Sequence, residues 1–289
     1  MAVKIFVLGL PGSGKSTVVR YISKYARDNA AFVKSTGNKN REVHSLSWLK
    51  KLVRFLTTFK EQSNKQWSTT HITDYDILYQ MFQEDTQGQF EPADFGGFDI
   101  IDLSAFDVAL KSLEQQVNEY ISTAKSTEII LIEFSRNDYQ RAFQQFSHAS
   151  FLKDAYFLYL DANIETCKRR IRERITHPTS SDDHFVSEYI FGTYYYRDNG
   201  RCLSNILEKD YMLDKQRVLV IDNNCSLELA SRKIDPFIDL IIDLSSDHIN
   251  TADMSSSDFD ESIPDDVADS SANNLIMPAT AKSEVLVDI

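Results

Sequence analysis

The sequence predicts an α/β protein of three layers, α/β/α, around a five-stranded parallel sheet, with a helical insertion and a lid added to this core. Short apolar runs without polar alternation recur along the chain, and such runs are typical of strands that are buried on both faces. Stretches with apolar residues at helical spacing separate these runs. Alternation of strands with helices produces a parallel sheet with right-handed crossovers.

Four strong strand candidates and one weaker candidate make up the predicted sheet. The strong candidates are Val3–Gly9, Glu128–Phe134, Ala155–Leu160 and Arg217–Ile221. The weaker one is His71–Thr73, which leads into a predicted helix over Asp74–Gln83. Apolar residues that recur with a period of about 3.6 predict further helices after Lys15, over Ser104–Ser122 and from about Ile164.

Composition divides the chain of 289 residues into a folded domain and a tail. Hydrophobic residues make up 42% of the chain, which is enough for a sizeable core in one domain, residues 1–243. From Ser245 onward, ten acidic residues stand against one basic residue, Lys282, so the tail carries most of the net charge of -12. An acidic, serine-rich and aromatic-poor segment cannot bury enough surface to fold, so residues 244–289 are predicted to be disordered.

The segment Lys34–Thr70 is predicted to be a basic helical insertion within the domain. It contains eight basic residues and two acidic ones, and its apolar residues between positions 49 and 60 would share one face of a helix. Three interpretations stay open. This helix could pack on the core with a solvated basic face, act as a substrate lid that attracts an anion, or dock on a protein partner or a membrane. The acidic tail is a second candidate surface for a protein partner.

A glycine-rich loop after the first strand is the strongest functional signal. The P-loop pattern, G-x-x-x-x-G-K-S, is matched by Gly9-Leu10-Pro11-Gly12-Ser13-Gly14-Lys15-Ser16. Glycines let successive backbone N–H groups wrap a phosphate, and the following helix adds its N-terminal dipole. Lys15 is expected to reach the β- and γ-phosphates, and Ser16 to ligate Mg²⁺. The loop from Gly9 to Thr17 is therefore predicted to bind ATP and Mg²⁺.

A second candidate lies where the strand Glu128–Phe134 ends. Ligands of an open α/β sheet bind at the carboxyl ends of its strands, and the sequence there reads Glu133-Phe134-Ser135-Arg136. Glu133 could hold Mg²⁺ or accept a proton from an attacking hydroxyl, and Arg136 could hold an anionic group of the substrate. The alternative is an ordinary acid and arginine at the surface where a strand meets a loop.

Arginines in the stretch Glu165–Arg174 form the third candidate. Arg170 and Arg174 are four residues apart, so they share one face of the predicted helix. Arginine suits the charge that develops on a transferred phosphoryl group, and both are predicted to contact the γ-phosphate from an arginine-bearing lid region, residues 165–200. The alternative is a solvated basic helix with nearby glutamates as partners.

Asp74 is the fourth candidate, because it follows a strand candidate and begins a predicted helix. It could bind a substrate hydroxyl or act as its base. It could equally cap the N-terminus of that helix, where Asp is favoured, and the two roles are compatible.

Charge and cysteine spacing argue against several other classes. The acidic balance disfavours general affinity for nucleic acid, because phosphates are bound by Lys and Arg. The three cysteines, Cys167, Cys202 and Cys225, are widely spaced and indicate neither a disulfide framework nor a zinc site, so reduced thiols in a cytoplasmic protein are expected. No run of about 18 apolar residues occurs, and no membrane span is predicted.

Together these segments resemble the P-loop nucleoside and nucleotide kinase superfamily. Gly9–Ile22 is similar to the strand, loop and helix that bind the donor nucleotide in that group. His71–Leu78 is similar to the start of the acceptor-binding helix in adenylate-kinase-like enzymes, and Thr166–Arg174 resembles their arginine-bearing lid helix. Ile221-Asp222-Asn223 falls where such kinases place the loop that touches adenine, which implies that Asn223 contacts the nucleotide. The resemblance implies a small-molecule kinase that uses ATP and Mg²⁺.

The chain departs from that group on the acceptor side. Lys34–Thr70 is longer than the usual link, and Thr73-Asp74 lacks the glycine that adenylate kinases carry between these residue types. Glu133–Arg136 is only loosely like the Glu-Arg-Ser of deoxynucleoside kinases. A nucleoside, a nucleotide or a similar metabolite is the expected acceptor. A GTPase is disfavoured, because no Asn-Lys-x-Asp motif follows a late strand. A regulatory or ATPase-type nucleotide-binding protein is the remaining alternative.

Overall fold

The central sheet contains five parallel strands, as the sequence predicts. The computed structural model describes residues 2–35, 67–176, 185–224 and 227–254. The strands in chain order are β1 (Val3–Gly9), β2 (Ser68–Thr73), β3 (Phe90–Pro92), β4 (Phe98–Ile100), β5 (Glu128–Phe134), β6 (Ala155–Asp161) and β7 (Val218–Asp222). The parallel sheet has the order β2–β5–β1–β6–β7, and β3 pairs with β4 in a separate antiparallel hairpin.

Helices cover both faces of this sheet. They are α1 (Lys15–Ser35), α2 (Asp74–Glu84), α3 (Ser104–Ile121), α4 (Tyr139–Phe143), α5 (Ser150–Lys153), α6 (Ile164–Thr176), α7 (Glu188–Thr193), α8 (Leu203–Tyr211) and α9 (Leu227–Met254). On one face, Ile5 and Val7 of β1 belong to an apolar cluster with α1 and α9. On the other face, Phe6 and Leu8 belong to a cluster with α3, α4 and α8. Successive residues of β1 thus pack on opposite layers, which confirms the three-layer architecture.

The strand β1 lies at the centre of the sheet, and the chain changes direction across it. From β1 the chain passes to β2 at one edge, returns to β5, and then continues to β6 and β7 on the other side. The register places Val7 beside Glu133 and Gly9 beside Leu160, so three neighbouring strands end at the same edge. Open α/β sheets bind their ligands at such a point.

The predicted strand bounds hold best where strands are buried on both faces. β1 and β5 have the predicted bounds, whereas β2 begins at Ser68 and not at His71. Because β2 is an edge strand with partly exposed side chains, its first residues are polar and lack the apolar signature of a buried strand. The hairpin and the helices α4, α5, α7, α8 and α9 were not predicted. The hairpin strands and α4, α5 and α7 have three to six residues each, which is too short to show a period.

Several predicted segments fall outside the part of the chain that the structure describes. Most of the predicted basic insertion, with its predicted helix over residues 49–60, lies outside the described ranges. Residues 177–184 of the predicted lid region also lie outside them. Helix α9 continues to Met254, past residue 244 where the acidic tail is predicted to begin, and residues 255–289 are again outside the described ranges. Among the described helices, none is long and apolar enough to cross a membrane.

Phe6 holds together an aromatic core under the sheet. Its ring is fully buried and stacks on Phe157 at a centroid distance of 5.0 Å, and the rings of Phe134, Phe143 and Phe151 meet it edge to face. Phe6→Ala is expected to lower the free energy of unfolding by about 3–5 kcal/mol, because it leaves a cavity in a packed core. Urea denaturation followed by circular dichroism measures this change.

The matched control is Tyr196→Ala, which removes an aromatic ring that is 54% exposed. It should change the free energy of unfolding by less than about 1 kcal/mol. A loss of similar size for the two variants contradicts the placement of Phe6 in the core.

Candidate active site

The loop between β1 and α1 adopts a backbone conformation that favours glycine at two positions. Gly12 has a φ angle of 77° and Gly14 a φ angle of 100°, both in the left-handed region. A Cβ atom on Gly12 would lie 2.5 Å from the carbonyl oxygen of Cys167, and one on Gly14 would lie 2.7 Å from Nδ2 of Asn223. The first turn of α6 and the segment after β7 therefore pack directly on the P-loop.

The P-loop ends at a helix N-terminus. Helix α1 begins at Lys15, so its first backbone N–H groups have no acceptor within the helix and can bind an anion. Thr17 is exposed on this first turn. At the other end of the loop, the backbone N–H of Gly9 donates to the Tyr139 hydroxyl at 2.9 Å, which ties the loop to α4. The predicted nucleotide-binding residues from Gly9 to Thr17 thus lie in the loop that ends β1 and in the first turn of α1.

The Lys15 side chain lies across the loop and is only 7% exposed. Its ammonium group donates to the Leu10 carbonyl at 3.1 Å and to the Ser135 hydroxyl at 2.7 Å. It lies 3.8 Å from Oε1 of Glu133. Burial lowers the pKa of Lys15, and the carboxylate of Glu133 opposes this effect.

Glu133, the second-last residue of β5, has three side-chain neighbours at its carboxylate. Oε1 lies 3.5 Å from the Ser16 hydroxyl and 3.8 Å from Lys15, and Oε2 lies 3.0 Å from Nε2 of His71. Burial alone would raise the pKa of Glu133. The hydrogen bond to His71, the charge of Lys15 and the hydrogen bond from Ser16 together lower it. Glu133 is therefore ionised at neutral pH.

Ser16 and Glu133 fit the chemistry of a magnesium site. A hydroxyl and an ionised carboxylate are hard oxygen donors, and here they lie 3.5 Å apart beside a helix N-terminus. In proteins, Mg²⁺ usually takes one or two carboxylates and fills its remaining positions with water and substrate phosphate oxygens. The two predicted metal ligands are thus adjacent, next to the loop that would hold those phosphates.

Asp74 forms a buried ion pair with Arg136. Nη1 of Arg136 donates to Oδ2 of Asp74 at 2.5 Å, and the same guanidinium donates to the backbone carbonyls of Ser135 and Phe106. Burial raises the pKa of Asp74, and the charge of Arg136 opposes this rise. Burial would lower the pKa of Arg136, but Asp74 raises it, so the guanidinium stays protonated. Arg136 therefore holds a carboxylate of the chain itself, and it also lines the cavity described below.

Of the two roles that the sequence allows for Asp74, the cap of helix α2 is wrong. Thr73 is the N-cap: it has an extended backbone, and its hydroxyl accepts a hydrogen bond from the backbone N–H of Tyr75 at 3.2 Å. Asp74 lies one residue further along, in the first turn, where its side chain turns to Arg136. Its carboxylate therefore pairs with Arg136 and does not cap the helix.

The two arginines of α6 take different places. Arg170 donates to the carbonyls of Ser13 at 3.3 Å and Asn223 at 2.8 Å, and the Asn223 side chain donates to the Ser13 carbonyl at 2.6 Å. Arg174 is close enough to Lys15 for its charge to contribute to the lowered pKa of that residue. Arg170 and Asn223 thus bind the backbone of the P-loop. Arg174 lies near the Lys15 ammonium group.

A cavity opens beside Lys15 and Glu133. The other residues that line it are Pro11, Thr73, Asp74, Tyr75, Leu78, Phe98, Ile100, Phe106, Ser135, Arg136, Phe185, Val186, Ile190 and Tyr195. Most of this wall is apolar or aromatic. Pro11, which the sequence assigns to the nucleotide, lies in the same wall, so the P-loop has one side toward this cavity.

His71 was not predicted as part of the site. The sequence shows it as one residue in a short polar strand, which carries no functional signal. In the structure β2 pairs with β5 so that Thr73 lies beside Glu133, and His71 is two residues away on the same face of the strand. The signal that could have found it is this period of two, combined with the pairing of β2 and β5.

No protein-family model and no curated protein matches the sequence. Among solved structures, one that is similar is Chaetomium thermophilum Kti12 in complex with ADP-AlF3. The two sequences are 11% identical, the match covers 82% of this chain and 97% of that chain, and the TM-score is 0.45. A sugar kinase from Janibacter sp. has 14% identity, coverage of 83% and 95%, and a TM-score of 0.42. The Mycobacterium tuberculosis APS kinase in complex with AMPPNP and APS has 11% identity, coverage of 82% and 98%, and a TM-score of 0.40.

Gly12→Ala tests whether the P-loop conformation is the one that binds nucleotide. The new Cβ atom would meet the Cys167 backbone at 2.5 Å at a left-handed φ angle. This strain should weaken the binding of MgATP by about tenfold or more in calorimetric titration. The control is Gly192→Ala, where no atom lies within 4 Å of the added Cβ. Equal affinities for the two variants would contradict this account of the loop.

Proposed function

We propose that the chain is an ATP-dependent phosphotransferase, which moves the γ-phosphate of ATP to a hydroxyl group of a small-molecule acceptor. One observation carries the proposal: Lys15 and Glu133 line a cavity whose other walls come mainly from α2, the β3–β4 hairpin and the segment from Phe185 to Tyr195. A P-loop lysine reaches the β- and γ-phosphates, so this cavity lies where an acceptor would meet the transferred group. We call it the acceptor cavity.

The donor nucleotide is bound by the loop from Gly9 to Thr17. The backbone N–H groups at the start of α1 hold its phosphates, and Lys15 pairs with the terminal ones. Ser16 and Glu133 would hold Mg²⁺, which when bound neutralises charge on the β- and γ-phosphates. Asn223 and Arg170, which contact the P-loop backbone, lie on the side proposed for the nucleoside part of ATP.

The two carboxylates of the site have different roles in this proposal. Glu133 has a lowered pKa, which suits a ligand of Mg²⁺ more than a base. Asp74 has a raised pKa and lines the acceptor cavity, which suits the residue that orients the acceptor hydroxyl and takes its proton. Lys15 and Arg174 stabilise the charge that develops on the γ-phosphate.

A nucleotide-binding regulator or an ATPase is the alternative, and release of ADP separates it from a kinase. ADP release is measured with a coupled assay over a broad panel of hydroxyl-bearing metabolites. A kinase releases ADP in response to a particular acceptor, and Lys15→Ala should reduce this rate on the order of 10²–10³-fold. The control is Lys24→Ala, which removes an exposed lysine from the same helix and should leave the rate unchanged. ADP release that no acceptor alters would contradict the proposal.

His71 is expected to act as a positioning residue for Glu133, because its Nε2 lies 3.0 Å from Oε2 of that carboxylate. Loss of this hydrogen bond in His71→Ala should raise the pKa of Glu133, since the bond to His71 is the largest influence that lowers it. Activity needs the ionised carboxylate, so the acidic limb of the pH profile of kcat/KM should move to higher pH. A steady-state pH series measures the shift.

His71→Gln keeps a hydrogen-bond donor and should restore most of the original profile. His148→Ala removes an exposed histidine and should leave the profile in place. An acidic limb that is the same in His71→Ala and His148→Ala excludes the positioning role. A shift of the limb that His71→Gln does not reverse would point to a change of packing.

A further inference from the structure

Flat aromatic surfaces form much of the wall of the acceptor cavity. Tyr75 and Phe98 stack on each other, with their ring centroids 5.8 Å apart and an angle of 18° between the planes. Phe106 stacks on Tyr194 at 4.5 Å and lies 4.5 Å from the guanidinium of Arg136. Walls of this kind favour planar ligands, because stacking of rings adds to the gain from burying apolar surface.

The charges in this wall balance one another. Among the described residues that line the cavity, two are cationic, Lys15 and Arg136, and two are acidic, Asp74 and Glu133. Lys15 lies 3.8 Å from Glu133, and Arg136 lies 2.5 Å from Asp74. A phosphate group on the acceptor would have to enter beside the carboxylates of Glu133 and Asp74, whose charges Lys15 and Arg136 already balance. An uncharged acceptor binds without disturbing the pair of Asp74 with Arg136 and avoids this cost.

We infer that the acceptor is an uncharged alcohol that carries a planar ring, as a nucleoside does, and not a phosphorylated compound. Its ring packs against Tyr75 and Phe98, and its hydroxyl lies toward Lys15 and Glu133. The hydroxyl groups of Thr73 and Ser135 are also in the wall. Each accepts a hydrogen bond from the chain, from the Tyr75 backbone and from Lys15 respectively, and can still donate one to the polar edge of the ring. This inference rests on the proposed function, because it takes Lys15 to mark the γ-phosphate.

Transfer of the phosphoryl group to such an acceptor forms one bond and breaks another. A bond forms between the acceptor hydroxyl oxygen and the γ-phosphorus, and the bond from that phosphorus to its bridging oxygen breaks. The hydroxyl proton passes to the Asp74 carboxylate, and ADP is the leaving group. The product is a phosphate monoester of the ring-bearing alcohol.

Matched pairs of ligands test the inference. The four ribonucleosides and thymidine are each compared with their own 5′-monophosphates, by calorimetric titration into the full chain saturated with AMPPNP and Mg²⁺. At least one nucleoside should bind more tightly than its monophosphate, by about tenfold or more. Tighter binding of each monophosphate, or no binding of any nucleoside, overturns the inference.

Two variants show whether the bound ring lies against the aromatic wall. Phe98→Ala should weaken the binding of that nucleoside by about tenfold, through loss of stacking, and by more than it weakens the binding of AMPPNP. Tyr189→Ala removes a ring that is 58% exposed next to Ile190, and it should change neither affinity. A nucleoside affinity that Phe98→Ala leaves unchanged overturns the assigned orientation.

Failure of the inference differs from failure of the proposed function. A nucleoside that binds with this dependence on Phe98 but never accepts phosphate supports the cavity assignment and removes the phosphotransferase proposal. A phosphorylated acceptor that drives ADP release has the opposite meaning. It supports the phosphotransferase proposal and contradicts the inference of an uncharged acceptor.

Discussion

The parallel pairing of β1 with β5 and β6 is the constraint on which the site depends. Its register places Val7 beside Glu133 and Gly9 beside Leu160, so the P-loop begins where two neighbouring strands also end. The alternating side chains of β1 are buried in both helical layers, and a shift of one residue would place each in the wrong layer. The same packing that stabilises the core therefore fixes the distance from Lys15 to Glu133.

The strand, glycine-rich loop and helix of the candidate nucleotide site could be predicted from the sequence, because their signals are local. The P-loop is a run of consecutive residues, and the buried strand before it and the helix after it are each visible as a pattern of apolar residues. Glu133 could be predicted for a related reason, since it is near the end of a strand whose bounds the sequence shows. In these cases neighbours along the chain decide the structure.

The acceptor side could not be predicted, because its contacts join distant parts of the chain. His71 reaches Glu133 only through the pairing of two strands, and Asp74 meets Arg136 across 62 positions. Phe98 belongs to a hairpin of three-residue strands, which leave no periodic signal. The sequence did place Asp74 among the candidates, but its ion pair with Arg136, which takes it away from the helix cap, depends on tertiary structure.

The fate of the γ-phosphorus tests most directly the claim that the acceptor cavity receives the phosphoryl group. In a single turnover, ATP labelled with ³²P at the γ-position is incubated with the full chain and a mixture of hydroxyl-bearing metabolites, and the products are separated by charge. We expect the label to appear in an organic phosphate ester, and we expect this ester to be absent for Lys15→Ala. Label that appears only as inorganic phosphate, at a rate that no metabolite changes, would contradict that claim.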